Sequence, residues 1–157
     1  MTVTDTTSPT LVDRALRAAT RAPSVHNTQP WRFVAAPTSV ELYLDRTRVL
    51  AVDPGAREAR ISCGAALFNL RLAIEAAGRD AQVTLVPDPD RLDLLARVRV
   101  GGPRTVAAEE RMLAAAIERR STNRRPFLNR VVSPAHRKAL RRAVRAERAD
   151  LSTLATP

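Results

Sequence analysis

The feature that most constrains the fold of this chain is a short polar segment, residues 22–33, that contains two prolines. A helical pattern runs into the segment and a strand pattern runs out of it. Pro23 has no N–H group and disfavours helical backbone angles at the preceding residue, so the first helix is predicted to end here. Pro30 is predicted to hold Gln29 extended for the same reason. A polar loop fixed at both ends can present its side chains in constant directions, as a ligand site requires.

The same segment has a second interpretation that involves no ligand. Ser24 and Asn27 are common residues of turns and helix N-termini. A capped turn that only connects a helix to a strand is therefore the alternative to a binding loop.

Hydrophobic periodicity predicts an α+β fold in which a layer of short antiparallel strands packs against helices. Ser8 is the predicted N-cap of the first helix, with Pro9 at its first helical position. Gly78 is the predicted stop of the longest helix, and Gly101-Gly102-Pro103 the predicted end of the last strand. The predicted helices cover residues 8–21, 56–77, 105–117 and 133–148, and the predicted strands cover residues 31–35, 40–45, 82–86 and 94–100.

A second candidate site is the basic run Arg119–Phe127, which reads Arg-Arg-Ser-Thr-Asn-Arg-Arg-Pro-Phe. Four guanidinium groups beside Ser, Thr and Asn donors can hold a phosphate through charge-assisted, bidentate hydrogen bonds. A solvated basic loop is the alternative. Residues 119–148 carry ten arginines and one lysine against one glutamate, which accounts for the whole net charge of +10. This excess predicts a phosphate, a nucleic acid or an acidic protein surface as counterpart.

The order Ala-Pro-Ser-x-x-Asn-x-Gln-Pro-Trp-Arg-Phe in residues 22–33 closely resembles a signature of the nitroreductase family of FMN-dependent oxidoreductases. The Ser-x-His-Asn-Thr-Gln-Pro-Trp form resembles the actinobacterial Acg-type branch, in which two nitroreductase-like halves lie in one chain. The resemblance implies that Ser24, Asn27 and Gln29 contact FMN. His26 is a further candidate, which could stack on the flavin, hydrogen-bond it or only cap the loop.

The basic run is similar to the Arg-Arg-Ser-x-Arg-x-Phe motif of the same family. The resemblance implies that Arg120 and Ser121 contact the phosphate and ribityl chain of FMN. Phe127 lies six residues after Ser121 rather than four. Whether Arg124 or Arg125 takes the second arginine position of the motif therefore stays open.

The resemblance also implies a domain organisation. Residues 1–118 are expected to form a nitroreductase-like first half, and residues 119–157 an incomplete second repeat, truncated after its basic motif and one helix. The pattern of residues 16–22 recurs weakly in residues 140–146, which supports this division. The apolar residues of the helix at 56–77 exceed one face, so either self-association or a missing second half is expected to cover them.

By resemblance, the expected function is NAD(P)H-dependent reduction of a small aromatic substrate, a nitroaromatic or a quinone, by bound FMN. No catalytic residue is assigned, because the flavin carries the chemistry. The alternatives are a flavin-binding or storage protein, or a truncated protein, with little turnover. A nucleic-acid-binding module is less favoured, because the basic segment lacks interleaved aromatic residues.

Composition excludes several other classes. A single cysteine, Cys63, rules out an intrachain disulfide, and with two histidines it rules out a zinc site made only of Cys and His. Cys63 lies in an apolar helix and is predicted to be a small buried residue rather than a nucleophile. There is no apolar run of 18 residues and no signal-peptide pattern, so a cytoplasmic protein with no membrane partner is expected.

Overall fold

The computed structural model describes residues 10–128 and 130–153. The chain divides into two compact units, residues 1–122 and residues 123–157, and each is described by itself. The first unit contains α1 (Leu11–Thr20), β1 (Trp31–Ala36), β2 (Ser39–Leu44), α2 (Arg57–Ala76), β3 (Arg79–Leu85), β4 (Leu94–Pro103) and α3 (Ala108–Arg119). The second unit contains α4 (Pro134–Ala146). In the described ranges, no helix is both long and apolar enough to cross a membrane.

The predicted α+β class is confirmed. The four strands form one sheet in the order β1-β2-β4-β3, and every neighbouring pair is antiparallel. Alternation along the strands places Val40 and Leu42 of β2 in the core. Glu41, which lies between them, points to the opposite face of the sheet.

Helix α2 is the central packing element of the first unit, because it contacts α1, α3 and all four strands. Its small residues Cys63 and Ala66 pack in one buried cluster with residues of β1, β2 and β4. Leu70 and Ile74 pack in a second cluster that includes α1. Helix α2 is therefore buried on several sides.

The two ends of α2 are fixed by an aspartate side chain and by a glycine. The buried carboxylate of Asp53 accepts the N–H of Arg57 at 2.8 Å and that of Ala59 at 3.0 Å, and so caps the helix. At the other end Gly78 has φ of 78°, a left-handed conformation that glycine adopts without strain. Gly78 ends the helix as predicted.

The start of α1 differs from the prediction. The N-cap is Thr10, whose Oγ1 accepts the N–H of Asp13 at 3.1 Å while Oδ2 of Asp13 accepts the N–H of Thr10 at 3.0 Å. This reciprocal pair satisfies two backbone donors, which a Ser-Pro start does not do. The prediction of Ser8 as N-cap is wrong, and Ser8 and Pro9 lie outside the described residues. Ser133 caps α4 as predicted, its Oγ accepting the N–H of His136 at 3.2 Å.

Strand β4 also runs further than predicted, through Gly101 and Gly102 to Pro103, where it pairs with Arg79. The predicted end at Gly101 is wrong, because the close approach of β3 uses this glycine. A Cβ at Gly101 would lie 3.0 Å from the Cβ of Asp80. Glycine here permits pairing to continue rather than ending it.

The face of the sheet away from the core carries a polar network. The hydroxyl of Tyr43 donates to Oε2 of Glu41 at 2.6 Å, and Arg97 donates to Oε1 through Nε and Nη2. The guanidinium of Arg32 lies 4.4 Å from the centre of the Tyr43 ring. The hydrogen bond from Tyr43 and the charge of Arg97 hold the pKa of Glu41 below its usual value. The carboxylate therefore stays ionised and keeps both partners.

Candidate functional site

The polar segment that follows α1 is a loop with an unusual backbone. After Arg21, the C-cap of α1, the chain makes a single 3-10 turn over Val25–Asn27. His26, Asn27 and Gln29 have φ of 49°, 59° and 48°. Residues other than glycine seldom adopt positive φ, and when they do the surrounding structure must hold them there.

The prediction that Gln29 is extended is wrong. Its N–H donates to Oγ of Ser24 at 3.0 Å, which folds the chain back on itself over five residues. Pro30 disfavours the right-handed helical region at Gln29, and the hydrogen bond to Ser24 within the loop accompanies the left-handed region rather than the extended one. The local preference was therefore overridden within the loop itself.

Helix α2 holds both ends of this loop. Oγ of Ser62 accepts the N–H of Val25 at 3.3 Å, and the Sγ–H of Cys63 donates to the carbonyl of Pro30 at 3.2 Å. Burial raises the pKa of Cys63 to about 12, so the thiol keeps the proton that it donates. Cys63 is 1% exposed, which confirms the prediction of a buried residue rather than a nucleophile.

The loop carries three polar side chains, those of His26, Asn27 and Gln29. His26 and Asn27 are exposed and Gln29 is half-buried. Within the described part of the chain, none of these three side chains makes a hydrogen bond. Ala22 and Trp31, which flank the loop in the sequence, are both buried. The loop thus offers an imidazole and two amides on a backbone held at both ends by α2.

The second residue of the basic motif, Arg120, contacts the residue at the start of this loop. Arg120 donates from Nε and Nη2 to the carbonyl of Arg21, at 3.3 and 3.1 Å, and from Nη1 to Oγ1 of Thr122 at 3.2 Å. Beside it, Arg21 forms an ion pair with Glu118 at 3.2 Å. The structure therefore brings Arg120, with its exposed neighbour Ser121, to the C-terminal end of α1. A guanidinium carries five N–H groups, and these contacts use three of the five on Arg120.

Arg124 and Arg125 belong to the second unit, and both are exposed. Asn123 stabilises a local turn there: its Oδ1 accepts the N–H of Arg125 at 3.0 Å and its Nδ2 donates to the Arg125 carbonyl at 3.1 Å. Their assignment to a phosphate stays a prediction. A groove on α4 is lined by one proline and five basic side chains, namely Pro134, Arg137, Lys138, Arg141, Arg142 and Arg145.

The sequence did not reveal the residues that fix the loop. Ser62 and Cys63 lie 37 and 33 residues from their loop partners, and Arg120 lies 99 residues from Arg21. No local pattern marks such contacts. No group of three or more His, Cys, Asp or Glu side chains in residues 10–128 and 130–153 could hold a metal ion.

Comparison with known proteins finds relatives of the N-terminal part of the chain. Residues 4–52 match the model of the Nitroreductase family. Over 74% of its length the chain is 44% identical to "Uncharacterized protein Rv3127" and 42% identical to "Putative NAD(P)H nitroreductase acg", both of Mycobacterium tuberculosis strain H37Rv. Over its N-terminal part, the chain is similar to proteins of the nitroreductase family. It spans only 36% of the length of each of these two relatives.

Two solved structures share the fold of this chain. A putative nitroreductase from Desulfovibrio desulfuricans, solved in complex with FMN, superposes with a TM-score of 0.50 at 23% identity, over 84% of this chain and 90% of that one. A "Putative NADH Oxidase" from Clostridium acetobutylicum superposes with a TM-score of 0.51 at 20% identity, over 60% of this chain and 76% of that one. At these identities the likeness establishes the fold alone.

Proposed function

We propose that this chain binds FMN through the loop at residues 24–29 and serves NAD(P)H-dependent reduction of a nitroaromatic or quinone. The proposal rests on the polar side chains of His26, Asn27 and Gln29, which make no hydrogen bond within the described residues. Their backbone has positive φ and is held at both ends by α2. A connector would gain nothing from three such residues, whereas a ligand site needs fixed donors and acceptors.

The residues present suit the edge of a flavin ring. Each amide of Asn27 and Gln29 offers N–H donors and a carbonyl acceptor, and the ring edge has both kinds of partner. When bound, FMN would supply the transfer of hydride or electrons. The chain would bind the flavin and orient it. We include the exposed His26 as a further candidate, which would stack on the ring or hydrogen-bond at its rim.

We assign the phosphate of FMN to the basic motif, with Arg120 and Ser121 as its members in the first unit. Two N–H groups of Arg120 remain available, and full bidentate binding would require it to release the carbonyl of Arg21. The motif therefore offers charge-assisted contacts that riboflavin, which has no phosphate, cannot receive.

This assignment predicts that FMN binds more tightly than riboflavin by about tenfold or more, equivalent to about 1.5–3 kcal/mol. The two ligands would be titrated into the same sample at physiological salt. Arg120→Ala should bring the two affinities together, whereas Glu118→Gln, a nearby exposed change, should preserve the difference. Equal affinities in the unmodified protein would exclude the phosphate role.

The role of Asn27 can be separated from the strain that it carries. Asn27→Ala removes the amide but leaves a Cβ at positive φ, while Asn27→Gly removes the amide and the strain together. Both changes should weaken FMN binding by about 0.5–1.5 kcal/mol and alter the visible spectrum of the bound flavin. Only the alanine variant should also lose thermal stability. A capped turn predicts altered stability with flavin affinity and spectrum unchanged in both.

We also propose that the chain self-associates through α2. Ile61 is 65% exposed, and Gly64, one turn along the same face, is exposed with nothing within 4 Å of the position a Cβ would take. A mid-helix glycine weakens a helix unless something must approach closely. An apolar side chain next to such a glycine fits a neighbouring helix that is not part of this chain.

The cationic groove of α4 is the one observation that favours a second candidate function, binding to a nucleic acid. It predicts only non-specific attraction to phosphates, which falls steeply as salt rises. A flavin spectrum separates the candidates, since a phosphate-binding helix alone gives none. A flavin-binding protein with little turnover would give the spectrum but no oxidation of NAD(P)H.

A further inference from the structure

We propose that Ser62 and Cys63 of α2 are positioning residues that impose the left-handed backbone of the loop and so aim Asn27 and Gln29. The inference rests on the proposed function, because it concerns how the loop is made ready for a flavin. Neither side chain faces the open side of the loop, since Ser62 is 4% exposed and Cys63 1% exposed.

The two contacts enclose all of the unusual backbone. Ser62 holds the N–H of Val25 and Cys63 holds the carbonyl of Pro30, at 3.3 and 3.2 Å. His26, Asn27 and Gln29, the three residues of this loop with positive φ, lie between these two points. The hydroxyl of Ser62 also donates to the carbonyl of Glu58 at 3.0 Å, so its orientation is fixed by its own helix.

The spacing of the two anchors, Ser62 and Cys63, explains why the loop folds back on itself. Val25 and Pro30 are five positions apart, and an extended chain of that length would span about 17 Å. Their anchors are consecutive residues of a rigid helix, with Cα atoms about 3.8 Å apart. The chain between them must therefore fold back, and the bond from the N–H of Gln29 to Ser24 closes that fold at 3.0 Å. Positive φ is the backbone geometry that results.

A purely structural role makes a different prediction, and Asn69 provides the matched control. Asn69 is 7% exposed on the same helix, and its Nδ2 donates to the carbonyl of Ala18 in α1 at 3.0 Å. Asn69→Ala removes a comparable buried contact without touching the loop. It should lower thermal stability and leave FMN affinity at the wild-type value.

The test compares Ser62→Ala, Cys63→Ala and Cys63→Ser with Asn69→Ala. Ser62→Ala and Cys63→Ala should each weaken FMN binding about two- to tenfold and shift the visible spectrum of the bound flavin. Cys63→Ser keeps a donor for Pro30 and should restore most of the affinity. If Ser62→Ala does not fold, the pair of Cys63 variants decides the question. Wild-type affinity and spectrum in both alanine variants would overturn the inference.

Two measurements without flavin keep this inference separate from the proposed function. Trp31, the only tryptophan, directly follows Pro30, so its emission reports on the anchored end of the loop. Exchange of the Val25 amide hydrogen reports on the other end. Ser62→Ala should accelerate that exchange and Cys63→Ala should shift the Trp31 emission, with neither change in Asn69→Ala. Absence of FMN binding to the wild type would end the proposed function, while unchanged exchange and emission would end the positioning role.

Discussion

Replacing Leu70 by alanine is expected to destabilise the first unit by about 2–5 kcal/mol, which is the usual cost of emptying a fully buried leucine site. Leu70 is 0% exposed and packs with Val12 of α1, Val40 of β2 and Val98 of β4. One side chain thus joins the first helix, the central helix and the sheet. The free energy of unfolding from urea titration measures the effect.

Leu85→Ala is the matched control for this prediction. Leu85 lies on β3 and is 65% exposed, so its truncation should change the free energy of unfolding by no more than about 0.5 kcal/mol. If the two variants were equally stable, α2 would not be the element on which this fold depends.

The second large effect is expected at Gly64. If α2 packs against a second copy, Gly64→Arg places a charge in a desolvated contact and should weaken association by about 3 kcal/mol, a factor of about one hundred. Light scattering over a range of protein concentrations measures the dissociation constant.

Gly64→Ala provides the control, because the two states of the chain predict opposite results. In a free monomer the added methyl meets open space and should stabilise the helix by about 0.5–1 kcal/mol. In a close helix pair it should instead weaken association. A wild-type protein that is a compact monomer and binds no ANS would contradict self-association altogether.

Most of the secondary structure could be predicted from the sequence, because periodicity and turn residues act locally. The bounds of α2 differ from the prediction by one residue at each end. The error at α1 arose locally, because Asp13 in its first turn makes Thr10 the cap. The error at β4 arose where another strand intervenes, because β3 approaches Gly101 closely at Asp80.

The candidate site was predictable in one respect and not in another. The order of residues predicted a polar loop fixed at both ends, and the structure shows such a loop held by α2. The same order gave the wrong backbone for Gln29, because the bond to Ser24 outweighs the preference set by Pro30. It also gave no sign that Arg120 holds the carbonyl of Arg21, a contact that only the folded chain creates. The polar side chains of the loop can be read from neighbouring residues in the sequence. The contacts that hold the loop backbone involve residues far away in the sequence.

The most direct test of the central claim is an equilibrium titration of FMN into the wild-type protein, followed by visible absorption and by Trp31 emission. The account predicts saturable binding with a shifted flavin spectrum, and weaker binding with a different spectrum in Asn27→Gly. A wild-type protein that is folded, yet gives no saturable change in either signal, would contradict the assignment of the loop to a flavin.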